Sequence, residues 1–210
     1  MKEFMIYCEE KYKISMKLSL EKFPLGTAGP IRLAKELIKK NNESGLFFVF
    51  NSDIICKFPL QNLINFHKHH QREGTICVTR VKDPSRYGVI LTDEKGLIKD
   101  FIEKPKEFIA DKINAGIYLF NTSIIDRIEL NVKTSIERKI FPIMAQEKQI
   151  YAFDLEGFWK DLGKPADFIS GLCDLMTYMR EHDSSKLAEG DNIKGNVLIV
   201  IIENTSSHLT

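Results

Sequence analysis

LFFVFNSD, residues 46–53, is the stretch from which the fold is predicted. Five consecutive apolar residues followed at once by three polar ones are typical of a strand that is buried on both faces and ends in a carboxylate. Ligands of open α/β sheets bind just beyond the carboxyl ends of the strands, so Asp53 would meet a ligand or a metal ion there. A turn capped by Asp53 explains the stretch equally well, and the stretch alone does not separate the two.

Composition and charge predict one globular domain with or without a tail. The chain has 210 residues, 43% of them hydrophobic, and no run of 18 or more apolar residues. Thirty basic and twenty-nine acidic residues give a net charge of +1, which removes the usual electrostatic argument for nucleic acid or an anionic membrane. The four cysteines show no Cys-x-x-Cys spacing, and no signal peptide is evident, so a reducing, cytosolic compartment is expected.

The N-terminal part of the chain predicts a helix, a strand and a loop that runs into a second helix. Residues 1–12 are amphipathic with helical spacing, and residues 13–20 alternate like a strand, with Ile14, Met16, Leu18 and Leu20 on one side. The loop PLGTAGP, residues 24–30, offers backbone N–H groups and small residues that let a planar or anionic ligand come close. A tight loop with Pro30 in the first helical turn is the alternative interpretation.

A helix and a strand follow the LFFVFNSD stretch and restore a β-α-β alternation. Residues 59–70 have a helical pattern, and residues 75–81 read as a strand, as expected of a mostly parallel sheet. The helix ends in His67, His69 and His70. Because no carboxylate or cysteine lies at ligand spacing, the histidines indicate a solvated helix end rather than a metal site.

The next segment predicts a hairpin and then another strand. Residues 87–91 and 97–102 flank the turn signal DEKG, and the second strand runs into Glu103-Lys104-Pro105. A lysine at a strand end is a point charge that suits a phosphate, although an exposed Glu-Lys pair is usually just solvated. Asn114-Ala115-Gly116 opens the strand that follows. Its small, amide-bearing start suits sugar hydroxyls, and a turn explains it equally well.

The last third of the chain predicts two helices and two more strands. TSIE, residues 134–137, matches a capping box before a helix that Pro142 kinks or restarts. After a strand at residues 151–155, the stretch WKDLG, residues 159–163, brings a second acid before a Gly turn. A long helix follows from Pro165 to about Arg180, then a last strand at residues 196–202 and a frayed end.

The order PLGTAGP, NSD, YGV, EKP, NAG and WKDLG resembles that of the sugar-1-phosphate nucleotidyltransferases over residues 1 to about 199. Within that family the similarity is greatest to the guanylyltransferases that make GDP-mannose and pyrophosphate from GTP and mannose 1-phosphate. The implied fold is α/β, a Rossmann-like mixed and mostly parallel sheet flanked by helices. The implied reaction is the attack of a sugar-phosphate oxygen on the α-phosphorus of the nucleotide, so the protein has mainly to position and neutralise charge.

The resemblance also implies a set of site residues. Asp53 and Asp161 would be catalytic and would hold Mg²⁺, and Lys104 would act on the sugar phosphate. The implied contacts to mannose are Gly88, Glu103 and Asn114. Those to guanine and ribose are Leu25, Gly26 and Thr27.

The sequence departs from the family pattern at both ends. The family begins with a strand and a Gly-rich loop that cradles the nucleotide phosphates, and it continues into a left-handed β-helix. We therefore expect a shortened member: a partial nucleotidyltransferase domain at residues 1–182, lacking the first strand and the Gly-rich loop, and a tail at residues 183–210 that is a remnant of the β-helix start. The alternative is a non-catalytic, nucleotide-sugar-binding regulatory or interaction relative, or an inactive truncated product. A second copy or a regulatory alpha-type subunit is the expected partner.

Overall fold

The computed structural model of the protein describes residues 2–190 and 193–198. Its strands are β1 (Leu46–Phe50), β2 (Ile54–Cys56), β3 (Gly74–Arg80), β4 (Gly88–Thr92), β5 (Ile98–Glu103), β6 (Lys112–Asn121), β7 (Ile150–Asp154) and β8 (Trp159–Asp161). Its α-helices are α1 (Lys2–Tyr12), α2 (Gly29–Leu33), α3 (Lys35–Lys39), α4 (Leu60–His70), α5 (Phe141–Gln146) and α6 (Pro165–His182). Short 3-10 turns cover Thr122–Arg127 and Ser184–Lys186, and a π-turn covers Ile136–Ile140.

The α/β class with a mixed sheet and flanking helices is confirmed, but the pairing of the strands differs from the expected mostly parallel one. In the main sheet β6 pairs antiparallel with β1, β3 and β4, and β4 pairs antiparallel with β5. Only β3 and β7 pair in parallel among the described strands. The reason is that β6 lies between β1 and β3 and runs in the opposite direction. The β-α-β alternation predicts the direction of β1, β3 and β7 correctly, but it does not reveal which strand lies between them.

The strand order brings several strand ends to one edge of the sheet. β1 and β4 follow one another along the same side of β6, since Phe50 lies opposite Ile117 and Val89 lies opposite Ile113. The carboxyl end of β1 therefore faces the start of β4, next to the first residues of β6. At this point the strand that pairs with β6 changes from β1 to β4, and ligands of α/β sheets bind at such changes of strand order.

The core lies on both faces of β6. Ala115, Ile117 and Leu119 belong to the cluster on one face, while Tyr118 and Phe120 belong to the cluster on the other. All five are buried, as the alternation of side chains along a central strand requires. The strand of LFFVFNSD was predicted to be buried on both faces, but its burial is only partial. β1 is only half-buried, and Phe50 is 44% exposed, because β1 has one strand neighbour among the described residues.

The predicted strand at residues 13–20 is not present, although all of these residues are described. The segment makes no β-pairing with the rest of the described chain, and Ile14, Leu18 and Leu20 are exposed, Leu20 to 78%. Alternating apolar residues favour a strand only where a neighbouring strand takes up the backbone hydrogen bonds. The predicted strand at residues 196–202 falls largely outside the described residues, and residues 193–198 form no strand.

No helix within residues 2–190 and 193–198 is long and apolar enough to cross a membrane.

The histidines of α4 form a chain of hydrogen bonds that begins and ends on the backbone of Arg72. The Arg72 N–H donates to Nδ1 of His70 at 2.9 Å, and Nδ2 of Asn121 donates to the Arg72 carbonyl at 3.3 Å. In between, Nε2 of neutral His70 donates to Thr75 Oγ1 at 2.7 Å, and Thr75 donates to Nδ1 of His67 at 2.7 Å. Nε2 of His67 then donates to Asn121 Oδ1 at 3.1 Å. Each ring nitrogen has one role, which only neutral imidazoles fill.

The prediction of a solvated helix end was therefore wrong for His67 and His70. The packing of α4 against the sheet buries His67 almost completely and His70 in part, while His69 is exposed as predicted.

The stability of the fold should fall as the pH drops below about 6.5. Burial lowers the pKa of His70 to about 4, and the nearby His67, Arg72 and His69 act in the same direction. Burial also lowers the pKa of His67. The unfolded chain therefore binds a proton on His70 near pH 6.5 that the folded chain binds only near pH 4, so stability is lost as the pH falls through this window. We expect a loss of about 2 kcal/mol, reduced by the partial exposure of His70.

Urea unfolding followed at several pH values between about 7.5 and 4.5 measures this effect. His70→Gln should flatten the dependence of the unfolding free energy on pH, whereas His69→Gln, at an exposed site of the same helix, should leave it as in the wild type. Equal slopes for the wild type and His70→Gln would show that the hydrogen-bond chain does not titrate.

Candidate active site

Two carboxylates meet beyond the carboxyl end of β1. β2 pairs with β8 so that Ile54 lies opposite Asp161, and the Leu162 N–H donates to the Asp53 carbonyl at 2.6 Å. A Cβ added to Gly163 would lie 2.9 Å from Asp161 Oδ1 and 3.8 Å from Asp53 Oδ2. The Gly163 N–H also donates to Asp161 Oδ1 at 2.8 Å. Both acids thus face one small space that a side chain at Gly163 would fill.

This pair of acids has the donor chemistry of a magnesium site. Mg²⁺ prefers oxygen ligands and is usually held by one or two carboxylates, with waters and substrate phosphates completing its shell. Within the described residues, no group of three or more His, Cys, Asp or Glu side chains is placed to hold a metal ion. Asp53 and Asp161 therefore fit an ion that shares its ligands with a phosphorylated substrate, rather than a closed structural site.

The start of β6 presents an amide that its own strand holds in place. Nδ2 of Asn114 donates to the hydroxyl of Tyr118 at 2.8 Å, and its Oδ1 accepts from the Gly116 N–H at 3.0 Å. Gly116 has a φ of +75°, and a Cβ there would lie 2.7 Å from Nδ2 of Asn51. Only glycine fits this close approach. Asn51, from the end of β1, and Asn114, from the start of β6, therefore both lie against Gly116.

The end of the β4–β5 hairpin brings Gly88 and Glu103 together. They lie opposite each other, and a Cβ at Gly88 would lie 2.6 Å from Phe101 Cζ and 3.0 Å from Glu103 Oε2. Burial raises the pKa of Glu103, and the nearby Glu137 acts in the same direction, against the opposing effect of Lys104 and Arg138. Its counter-ion is the ammonium of Lys104.

Lys104 follows Glu103 in the left-handed region, with a φ of +49°. Its N–H donates to the Tyr87 carbonyl at 3.1 Å, which continues the ladder between β4 and β5. Its ammonium is 3.7 Å from Glu103 Oε1, and the side chain is 59% exposed. A non-glycine residue with positive φ is uncommon, so the hairpin end directs this charge away from the strand path and into solvent.

The loop of Leu25, Gly26 and Thr27 is anchored to the segment that precedes α5. Leu25 is buried, and its carbonyl accepts from the Thr134 N–H at 2.9 Å. The hydroxyl of Thr27 accepts from the Ile136 N–H at 2.9 Å and donates to Glu137 Oε2 at 2.6 Å. Of the three predicted nucleotide contacts, Leu25 is therefore a packing residue in this structure, whereas Thr27 presents a polar group at the surface.

Tyr87 and Trp159 join these parts into one site. The indole Nε1 of Trp159 donates to the Ala115 carbonyl at 2.9 Å, and the Tyr87 and Trp159 rings meet edge to face at 5.6 Å. Burial and the charge of Asp161 raise the pKa of Tyr87. Trp159 thus links β8, which carries Asp161, to the start of β6, and Tyr87 connects both to Gly88.

Three residues of this region were not predicted from the sequence as site residues: Tyr87, Tyr118 and Glu137. Tyr118 shares a strand face with Asn114, but residues four apart in a regular strand are about 13 Å apart, so the contact also requires the irregularity at Gly116, which local sequence does not reveal. Glu137 was assigned to a capping box, which the structure corrects. Ser135 is the N-cap and accepts from the Arg138 N–H at 3.2 Å, while the Thr134 hydroxyl donates to the Val132 carbonyl. Tyr87 has no sequence signal beyond its position before Gly88.

The sequence and the fold are similar to those of known proteins. A mannose-1-phosphate guanylyltransferase catalytic subunit beta from Drosophila pseudoobscura pseudoobscura is 51% identical over 190 residues, which are 90% of this chain and 50% of the relative. A mannose-1-phosphate guanyltransferase from Saccharomyces cerevisiae is 50% identical over 193 residues, 91% of this chain and 53% of the relative. The chain thus spans about half the length of these curated relatives.

Solved structures show the same fold. A putative glucose-1-phosphate thymidylyltransferase from Bacillus anthracis superimposes with a TM-score of 0.71 at 17% identity, over 81% of this chain and 70% of that one. HddC from Yersinia pseudotuberculosis superimposes with a TM-score of 0.61 at 25% identity, over 80% and 72% of the two chains.

A model of the family described as nucleotidyl transferase matches residues 2–177, which include every candidate site residue described above. The motif order, the mixed sheet and this match agree with one another, and the chain belongs to the nucleotidyl transferase family.

Proposed function

We propose that this chain forms GDP-mannose and pyrophosphate from GTP and mannose 1-phosphate. The observation that carries the proposal is the convergence of Asp53 and Asp161 over Gly163, beside the amides of β6 and the hairpin end at Gly88. Relatives of about half identity that carry the guanylyltransferase name support the choice of base and sugar. In the reaction an oxygen of the sugar phosphate bonds to the α-phosphorus of GTP, the bond from that phosphorus to the bridging oxygen breaks, and pyrophosphate leaves.

The chain's own groups position the reactants and neutralise their charge. Lys104 suits the sugar phosphate, because its exposed ammonium stands at a fixed strand end and an ammonium acts on phosphate as a point charge. Glu103 and Asn114 suit sugar hydroxyls, and Gly88 lets Phe101 and Glu103 keep their positions because a side chain there would collide with both. Thr27 and Gly26, with Leu25 beneath them, suit the ribose and the guanine.

Asp53 and Asp161 would hold a magnesium ion. Such an ion supplies electrostatic stabilisation to the negative charge that develops on the transferring phosphate. The two carboxylates would fix the ion at the end of β1. The hydrogen bond from the Leu162 N–H to the Asp53 carbonyl holds the two segments that carry them together.

The compartment and the partner are further parts of the proposal. All four cysteines, Cys8, Cys56, Cys77 and Cys173, are free thiols, which suits a reducing cytosol. Relatives described as a catalytic subunit beta favour assembly with a second copy or with a regulatory alpha-type subunit.

Pyrophosphate release from GTP and mannose 1-phosphate, with magnesium, tests the proposal directly. UTP with glucose 1-phosphate serves as the competing pair. We expect Lys104→Ala to lower the rate about 100-fold, since a single charge aimed at the reacting phosphate is worth that much. Lys106→Ala, two residues along the same exposed segment, should leave the rate unchanged.

Binding is measured in parallel through the fluorescence of Trp159, the only tryptophan of the chain. GDP-mannose binding without pyrophosphate release would identify a non-catalytic, nucleotide-sugar-binding relative instead. If the folded protein shows neither binding nor pyrophosphate release, the proposal is rejected.

A further inference from the structure

The side chain of Asn51 has no structural task among the described residues. Asn51 opens the turn between β1 and β2, a position where asparagine commonly accepts a hydrogen bond from the backbone N–H two residues further on. Here the side chain is exposed and makes no hydrogen bond within residues 2–190 and 193–198. The turn therefore does not explain the carboxamide at this position.

The backbone of Asn51 is held against the irregular start of β6. Its N–H donates to the Gly116 carbonyl at 2.8 Å, directly after the last residue pair of β1 and β6. Nε1 of Trp159 donates to the preceding carbonyl, that of Ala115, at 2.9 Å. The pairing of β3 with β6 shifts register in the same stretch, and irregularities of this kind re-aim side chains beside active sites. The side chain of Asn51 thus starts from a fixed backbone.

The carboxamide of Asn51 lies across the space that a side chain at position 116 would fill. A Cβ on Gly116 would be 2.9 Å from Asn51 Cγ and 2.7 Å from its Nδ2. The N–H of the same glycine donates to Asn114 Oδ1 at 3.0 Å, so one glycine places two carboxamides. That of Asn114 is also tied to the Tyr118 hydroxyl, whereas that of Asn51 keeps all its donors and acceptors for a ligand.

The surroundings of Asn51 indicate which part of a substrate it meets. It precedes Asp53 of the acid pair by two residues, and it shares its glycine with Asn114 at the edge of the sheet where β4 begins. The loop Leu25–Thr27 is anchored elsewhere, on Thr134. A hydroxyl both donates and accepts, as a carboxamide does, whereas the oxygens of an ionised phosphate only accept. The position and the chemistry both favour a sugar hydroxyl.

We propose that Asn51 is a further substrate-binding and specificity-determining residue, whose carboxamide recognises one hydroxyl of the hexose. The inference rests on the proposed function, because it takes the hexose of mannose 1-phosphate to lie at Asn114. A site that hydrogen-bonds a substrate hydroxyl discriminates against an analogue that lacks it, since a polar group of the site is then left unpaired. Asn51 thus selects sugars by the presence of that hydroxyl.

The kinetics of pyrophosphate release by the full chain test the inference, with mannose 1-phosphate and its 2-, 3-, 4- and 6-deoxy analogues as substrates. Asn51→Leu nearly keeps the size of the side chain and removes its hydrogen bonds. It should raise KM for mannose 1-phosphate about 20-fold and leave kcat and KM for GTP nearly unchanged. One deoxy analogue should cost the wild type a similar factor and cost Asn51→Leu almost nothing more, because both changes remove the same contact.

Asn51→Ser needs no extra space over Gly116 and should give the same pattern as Asn51→Leu. Asn62→Leu is the matched control, because Asn62 is exposed on α4, and it should leave each KM unchanged. If the folded protein binds GDP-mannose without releasing pyrophosphate, dissociation constants from Trp159 fluorescence replace KM in the same comparison.

Three results overturn the inference and leave the proposed function standing. They are an unchanged KM for mannose 1-phosphate in both folded Asn51 variants, a loss confined to GTP, and losses that simply add for all four deoxy analogues. A folded wild type that neither binds GDP-mannose nor releases pyrophosphate overturns both the inference and the proposed function.

Discussion

Asp161→Asn and Asp53→Asn should each lower magnesium-dependent pyrophosphate release by about 1,000-fold while the fold is kept. Asparagine has nearly the shape of aspartate, and the bond from the Gly163 N–H to Oδ1 of residue 161 survives the change. What is lost is one of two negative charges that converge over Gly163. A neutral amide is a poor ligand for Mg²⁺, so the effect falls on the metal and the phosphates rather than on packing.

Three measurements separate this effect from a general loss of structure. Release rates over a range of magnesium concentrations, Trp159 fluorescence with magnesium and GDP-mannose, and the unfolding midpoint should be compared for the two variants and Asp100→Asn. Asp100 lies exposed on β5 and is the control for removing one carboxylate. An Asp161→Asn protein that keeps the wild-type magnesium response would remove both acids from the candidate metal site.

Gly26→Ala should reduce the free energy of unfolding by about 3 kcal/mol. Gly26 has a φ of +77°, and a Cβ there would lie 2.5 Å from the Thr134 carbonyl oxygen and 2.9 Å from its carbon. The Thr134 carbonyl group is held in place by its neighbours. The Thr134 carbonyl accepts from the Ala28 N–H, and the Thr134 N–H donates to the Leu25 carbonyl, both at 2.9 Å. Relief of the clash would break at least one of these bonds.

Gly157→Ala is the matched control for backbone conformation. Gly157 has a φ of +83°, and a Cβ there would meet nothing within 4 Å among the described residues. It should cost only the strain of alanine in the left-handed region, about 1 kcal/mol. Urea unfolding of both variants gives the difference that belongs to the contact with Thr134. Equal losses would mean that this contact contributes nothing to stability.

The sequence predicted most of the elements because local pattern is sufficient for them. The long helix α6, the helix α4, the β4–β5 hairpin and the strand β3 all lie within a few residues of their predicted positions. In these segments apolar periodicity, turn residues and Pro agree with one another, and agreement of this kind is what makes local prediction work. The candidate residues at strand ends and glycine turns also followed from position along the chain.

The failures concern segments whose structure depends on a distant partner. Residues 13–20 have the pattern of a strand but make no β-pairing among the described residues. His67 and His70 of α4 were predicted to be solvated at a helix end, but the sheet buries His67 and part of His70. The capping box was assigned to the wrong residue because Glu137 is drawn to Thr27, which lies 110 positions away in the sequence.

Local sequence is sufficient to predict the α/β class, the order of the motifs and the residues that could carry the chemistry, because each of these depends on neighbouring positions of the chain. Which of these residues meet depends on tertiary structure. The insertion of β6 between β1 and β3 brings both Asn51 and Asn114 against Gly116 and places the end of β1 opposite the start of β4. The pairing of β2 with β8 brings Asp53 to Asp161. Strand order and long-range pairing arise from the burial of whole faces and from backbone hydrogen bonds between distant segments, which no local pattern encodes.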